Sequence, residues 1–428
     1  MKKLFLLLMA SLSLGVAAQQ NPMPMPQKAF VAGQNGNVVA IYDCNEKAVY
    51  YIPGYLQDIG LTDKGDLYTL VCNASSGWGN YYVYKNFTTT KPYMSFEEDA
   101  GGIYTSMAMR VKGNDVVVAG VQSRGFNDKG YESHMLGFVN GNRIFVTDYD
   151  RRSLKRDLFR GYQKWTGSGA KAHLIGYGQE NNSGNPQGDH LSCVYHVDGV
   201  DYVDGIIYTS GWIEREYTDA PAGFKTHYLV RRCPMIWKNG NEYLKYMQDK
   251  TGAMWNINIL KYGSANIYLT SGHKGSRAWS WNWNNDVIQD GDKNMAAGSL
   301  YPGIFREEAF VLRENMWKGN NFTYCRIYMA RGLDGVSRLH GRFHTGINIP
   351  EGWFCLEAED VAVADNGVDY SMFFLTRAEK EMQIWWWGYT IGAENGGYEW
   401  YQKRLAYSDV PAAFKGYKNL RVAVKYVR

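Results

Sequence analysis

Three groups of carboxylates lie close enough along the chain to do acid–base work: Glu97-Glu98-Asp99, Glu307-Glu308, and Glu357 with Glu359 and Asp360. Cleaving a glycosidic bond needs two carboxyls held about 5 to 9.5 Å apart across the sugar. Adjacency in sequence does not establish that gap, and solvated loop acids have the same pattern. His340 and His344 form the one i, i+4 histidine pair. That spacing binds metal best on a helix, and Gly341 between Gly335 and Gly346 argues for loop or strand. No G-x-S-x-G elbow, H-E-x-x-H, EF-hand or phosphate-binding loop occurs, so no catalytic residue, metal or cofactor is assigned. Six cysteines (Cys44, Cys72, Cys193, Cys233, Cys325 and Cys355) fall in no metal-ligand spacing. In an oxidising compartment their even number permits disulfides; in a large core they serve equally well as buried thiols.

Aromatic residues give the strongest surface signal. Trp279, Trp281 and Trp283 alternate with period two, so on a strand their indoles project from one face. Trp385-Trp386-Trp387 with Tyr389, and Tyr398 with Trp400 and Tyr401, form a second group. Exposed, such rings stack on sugars or peptide side chains; buried, they pack sheet against sheet. Trp281, Trp283, Trp386 and Trp387 are the candidate ligand-binding residues. The basic run from Arg151 to Lys164 could meet an acidic glycan or the envelope surface, or simply be a solvated loop.

These residues must be carried by a fold, and the first residues say where that fold works. Met1-Lys2-Lys3, the apolar run Leu4–Met9 and Val16-Ala17-Ala18 read as a secretory leader over 1–18, cut before Gln19. The expected location is the periplasm, the cell surface or the exterior. No cysteine immediately follows the cut, and no later segment reads as a spanning helix. Residues 19–28, with Pro22, Pro24 and Pro26, read as an extended arm. Lys and Arg number 46 against 42 Asp and Glu, a balance that gives no argument for nucleic acid. With 33 Tyr, 17 Phe and 14 Trp beside 47 Gly, the composition is that of strands and turns.

Two short words recur. One is a turn followed by an apolar strand: Gly65-Asp66-Leu67-Tyr68-Thr69-Leu70, Asn114-Asp115-Val116-Val117-Val118-Ala119, Asp204-Gly205-Ile206-Ile207-Tyr208 and Asn266-Ile267-Tyr268-Leu269. The other is an aromatic residue, one spacer, then Asn or Asp, usually with Gly: Phe138-Val139-Asn140-Gly141 and Trp237-Lys238-Asn239-Gly240, with His196-Val197-Asp198-Gly199 as a third copy. Tyr84-Lys85-Asn86-Phe87 and Trp283-Asn284-Asn285-Asp286 are weaker copies, and Trp317-Lys318-Gly319-Asn320 a variant. Asn-Gly and Asp-Gly supply the positive φ angles of a tight hairpin, so Asn140-Gly141, Asp198-Gly199 and Asn239-Gly240 are expected at equivalent turns. The spacing of the second word matches a four-stranded propeller blade of ~40 to 50 residues. The expected fold is all-β, a β-propeller over 29–428 with about seven four-stranded blades, six or eight remaining open. The alternating C-terminal segment Arg421–Arg428 is expected to pair with the chain near Phe30–Gly33.

In strand words such as Asp115-Val116-Val117-Val118-Ala119-Gly120 and turn words such as Trp237-Lys238-Asn239-Gly240, the chain resembles the secreted β-propeller repeat proteins of Bacteroides-type bacteria. The resemblance implies export and fold far more than activity. The function it suggests is a non-enzymatic binding or scaffold protein of the cell envelope, engaging a protein or glycan partner through a propeller face. The rival is an envelope glycosidase-like enzyme with a carboxylate pair in a central cleft.

Overall fold

The structure is a computed structural model. It describes residues 28–98, 102–126, 130–149, 162–166, 173–178, 191–217, 381–391 and 398–425, and strands between 228 and 377. Side chains are described for 28–98, 102–125, 132–149, 195–211, 236–241, 381–384 and 407–425, and for Phe373 and Leu375. Among the described residues the fold is all-β, without an α-helix, and every strand pairing is antiparallel. The strands form six four-stranded sheets, one seven-stranded sheet and a two-stranded ribbon.

The sheets follow one another along the chain. The first contains β1 (Lys28–Asn35), β2 (Val38–Asp43) and β3 (Ala48–Pro53). The second is β4 (Tyr55–Leu61), β5 (Leu67–Cys72), β6 (Tyr81–Lys85) and β7 (Met94–Phe96). The third is β8 (Ile103–Lys112), β9 (Asp115–Phe126), β10 (Gly130–Val139) and β11 (Asn142–Val146). In the seven-stranded sheet, β12 (Tyr162–Thr166) and β13 (His173–Gly178) precede β14 (Leu191–Val203) and β15 (Ile206–Tyr217). β16 (Tyr228–Leu229), β17 (Cys233–Lys238) and β18 (Asn241–Lys245) complete it. Three more sheets begin at Met254–Tyr262, Leu300–Phe305 and Phe354–Val361. The final strand, Lys418–Lys425, returns to the first sheet beside β1, with Ala29 opposite Val424 and Val31 opposite Val422. The expected pairing of the two chain ends is therefore present.

The two sequence words meet in space. In the third sheet the turn residue Asn140 has φ 51° and Gly141 φ 81°, as a tight β10–β11 hairpin requires. The Asn140 side-chain oxygen accepts from the Val116 amide at 2.9 Å, and its own amide donates to the Val116 carbonyl at 2.9 Å. Asn86 with Leu67 and Asn239 with Ile207 repeat this bonding in the second and fourth sheets. The turn word thus caps the opening of the strand word. Asn140→Ala removes one acceptor and a positive-φ residue from the turn and is expected to destabilise by about 0.5 to 2 kcal/mol in urea titration.

The third copy does not obey the expectation. Asp198-Gly199 lies inside β14, at a bulge between Val197 and Gly199, and is not a hairpin turn. Here Asp198 is the extra residue on a continuing strand, so its local positive-φ preference has lost to the β14–β15 ladder. The Trp317 variant also sits elsewhere, between the second and third strands of its sheet, where Lys318 pairs with Asn321. Trp283–Asp286 lies outside the described residues, although its flanking strands are the third and fourth of their sheet, as at Asn140.

Successive sheets bury their faces against each other. Ile41 and Ile52 of the first pack with Leu56, Leu67 and Val71 of the second. Tyr81 and Val83 of the second meet Val116 and Val118 of the third. Val117, Ala119, Val121 and Met135 of the third meet Val197, Ile207 and Trp237 of the fourth. Phe373, Leu375 and Ile384 of the last sheet join Ala29, Val31 and Val424 of the first. Ion pairs add to three of these junctions, Lys47 with Asp409 at 2.7 Å joining the first sheet to the last. Fully buried Asp201 in β14 takes Lys112 of β8 at 3.0 Å, and Lys425 reaches Asp63 at 3.0 Å. Cys44 and Cys72 are free, each buried in a different one of these layers, so neither forms the disulfide that the sequence allowed. Burial, reinforced by Asp43 and Asp409, pushes the Cys44 thiol well above its usual range. The side chains of Cys193, Cys233, Cys325 and Cys355 lie outside those described.

Candidate functional site

Polar residues concentrate at one end of the third sheet, and the strand sequences explain why. β9 begins apolar, Val116-Val117-Val118-Ala119, and ends polar, Gln122-Ser123-Arg124. β10 does the reverse, Glu132-Ser133-His134 before Met135-Leu136. Antiparallel register sets the polar halves together: Gln122 opposite His134, Ser123 opposite Ser133 and Arg124 opposite Glu132. Directly opposed residues share a face, so Gln122, His134, Arg124 and Glu132 extend the face that packs on the second sheet, and Ser123 and Ser133 the opposite face.

On the first face the side chains fix one another. Gln122 donates through Nε2 to the Gly102 carbonyl at 3.0 Å, which turns Oε1 toward His134 Nε2 at 2.8 Å. The other ring nitrogen of His134 lies 3.2 Å from the Thr147 carbonyl. Tyr149 stacks on the imidazole with centroids 4.1 Å apart, and its hydroxyl donates to Gln122 Oε1 at 3.4 Å. Arg124 holds buried Glu132 through Nε and places its guanidinium carbon 3.8 Å over the Tyr149 ring. On the second face, Ser123 and Ser133 hydroxyls are 2.7 Å apart, with Thr105 3.4 Å from Ser123. Ser106 accepts from the Val197 amide of the fourth sheet at 2.9 Å. Gln122, Ser123, Glu132, Ser133, Thr105 and Ser106 are all buried. So many polar groups are tolerated there because they bond one another.

A backbone irregularity recurs beside this end. The first strand of each of four sheets, and β14 of the seven-stranded sheet, carries one extra residue against its neighbour: Gln57, Thr105, Asn256 and Leu356, and Asp198 in β14. Bulges on edge strands re-aim side chains away from the ladder. Asp198 takes His196 Nε2 at 2.9 Å through one oxygen, while its other oxygen and the nearby Ser210 hydroxyl are buried without a partner. The second sheet adds a loop at the same end, bridged to β8 by the Gly79 amide on the Tyr104 carbonyl at 2.9 Å. Trp78 on that loop is 40% exposed.

The structure does not gather the candidate tryptophans there. Trp281 lies in the strand Ala278–Asn282 opposite Tyr268; Trp386 and Trp387 lie in Met382–Ile391 opposite Phe373 and Met372. Their side chains are outside those described, as is Trp283 altogether. The acid clusters divide likewise: Glu97 and Glu98 are exposed just before β8, with the Glu98 amide on Asn80 Oδ1 at 2.7 Å. Asp99, His340 and most of the basic run fall outside the described residues. Sequence reasoning missed Gln122, Arg124, Glu132, His134 and Tyr149, although two half-polar strands facing across one hairpin were a visible signal.

Comparison with known proteins leaves the reading to these residues. No protein-family model matches the chain, and no curated protein does. Among solved structures it is similar to dihydro-heme d1 dehydrogenase NirN, at 8% identity and a TM-score of 0.40, over 90% of this chain and 76% of that one. It is similar also to the subtype N11 neuraminidase-like protein of A/flat-faced bat/Peru/033/2010 (9% identity, TM-score 0.35, 91% and 90% of the two chains). The NanB sialidase from Streptococcus pneumoniae matches at 8% identity and a TM-score of 0.32, over 90% and 86%. Scores this low carry no argument about activity.

Proposed function

We propose that the chain is an exported binding protein of the cell envelope, built as a propeller of about seven blades, that engages a protein or glycan partner at the polar end of the third sheet. The leader-like residues 1–18 support export. The succession of seven sheets of four or more strands, with the last strand of the chain in the first sheet, supports the propeller. One observation carries the binding assignment: Arg124, Glu132, Tyr149, His134 and Gln122 are locked in a mutual network at a sheet end, with the exposed Trp78 on a loop at the same end of the neighbouring sheet. A network of that kind presents polar groups whose ordering entropy is already spent, which is what a recognition surface needs. Glu132 is occupied by Arg124, so the carboxylate nearest the site is held as a partner for a cation and is not a free general base.

The test is quantitative binding of the mature protein to arrayed glycans and envelope-protein peptides, with Trp78→Ala and Tyr149→Ala alongside. Ligands retained by the wild type should bind the variants about 1 to 3 kcal/mol more weakly, with the Trp78→Ala melting temperature unchanged. If both variants hold every ligand as the wild type does, or the wild type holds none, the assignment is wrong.

A further inference from the structure

We infer that the ligand of this end is a saccharide bearing carboxylates, and that Arg124 is the group that takes the carboxylate; this rests on the binding function proposed above. The guanidinium is clamped twice, by buried Glu132 at Nε and by the Tyr149 ring beneath its central carbon, yet its side chain stays 38% exposed. Among the described residues its two terminal nitrogens take no further hydrogen bond or ion pair. A planar fork held in one orientation is suited to a bidentate carboxylate, and clamping removes the entropy that a mobile arginine loses on binding. Glu132 balances the charge, so recognition here rests on directed N–H donors more than on an attractive field.

Trp78 argues for a sugar over an acidic peptide. The bridge from Gly79 to Tyr104, and the pairing of Tyr104 with Gln122 two residues before Arg124 on the same face, lay the exposed indole along the same end of the two sheets. Two strand spacings of about 5 Å and two residues of strand, about 7 Å, separate them. That span suits a chain of sugar rings stacking on the indole while one acidic unit meets Arg124.

The experiment measures calorimetric binding of oligogalacturonate, hyaluronan fragments and alginate fragments, with carboxyl-reduced oligogalacturonate and polyglutamate as comparisons. The wild type should bind at least one of the three acidic saccharides, and for oligogalacturonate at least about tenfold more tightly than its reduced form. Arg124→Lys keeps the charge and loses the fork. Arg124→Gln with Glu132→Gln removes both charges together, which avoids leaving a buried carboxylate alone. Both variants should lose about tenfold or more for the acidic saccharide, with the double variant's melting transition retained. The inference is overturned by equal binding of acidic and reduced saccharides, by a folded double variant within about twofold of the wild type, or by a preference for polyglutamate. It is also overturned if the wild type binds none of the three. Trp78-dependent binding of a neutral glycan would in that case leave the binding function standing and remove only the acidic ligand.

Discussion

A chain ending at Tyr417 is expected not to accumulate as a cooperatively folded protein. The missing strand Lys418–Lys425 buries Val422, Ala423 and Val424 and fills one side of the ladder on β1. Its loss would open the layer shared by Ala29, Val31, Phe373 and Ile384 and release the Lys425–Asp63 ion pair. Two buried valines contribute roughly 1.5 to 3 kcal/mol each, and each ladder hydrogen bond roughly 0.5 to 1.5. Together these approach the whole stability of a typical domain, about 5 to 15 kcal/mol. The exposed β1 edge would also offer unpaired backbone to other chains. Urea titration by far-ultraviolet circular dichroism decides it: a sharp transition at the full-length midpoint would mean the strand is dispensable.

The second large effect is at Trp237, among the largest fully buried side chains of the described residues. It packs with Tyr195 (ring centroids 5.9 Å apart) in the layer between the third and fourth sheets. Trp237→Ala is expected to lower unfolding free energy by about 3 to 5 kcal/mol, read as a fall in the urea midpoint. Trp237→Phe should lose much less. The indole nitrogen is buried with no hydrogen-bond partner, as is the hydroxyl of Thr209 directly across the ladder. Phenylalanine gives up contact area but relieves a desolvated donor, a cost of about 1 to 3 kcal/mol where it goes unmet. Alanine and phenylalanine variants with equal midpoints would contradict this account of the layer.

The recurring words made the hairpins legible, because the positive-φ preference of an asparagine followed by glycine is set by the two residues themselves. They did not reveal that the asparagine side chain reaches back to the strand word, a contact made across the sheet. Asp198-Gly199 misled for the opposite reason: the dipeptide has the turn preference, but β14 continues through it and absorbs the extra residue as a bulge. The polar end of the third sheet went unread because Gln122, Arg124, Glu132 and His134 look like ordinary solvent-facing residues until register opposes them pair by pair. Tyr149 lies ten residues beyond β10, and only its contacts with His134, Gln122 and Arg124 bring it in. Cysteine count allowed bridges, whereas Cys44 and Cys72 occupy different packing layers.

The pairing of Lys28–Asn35 with Lys418–Lys425 has a bearing on how the chain can be made and remade. The opening segment has its full complement of neighbours only when the closing segment arrives, nearly the whole length of the polypeptide later. Contacts of such sequence separation are slow to form, so a chain threaded outward from its amino end would spend its emergence with one sheet short of a strand. The same pairing sets Lys28 directly opposite Lys425. A short peptide joining these two residues, with a new opening at the exposed Glu97-Glu98 connection, would give a circularly permuted molecule retaining every strand pairing described between the first and third sheets.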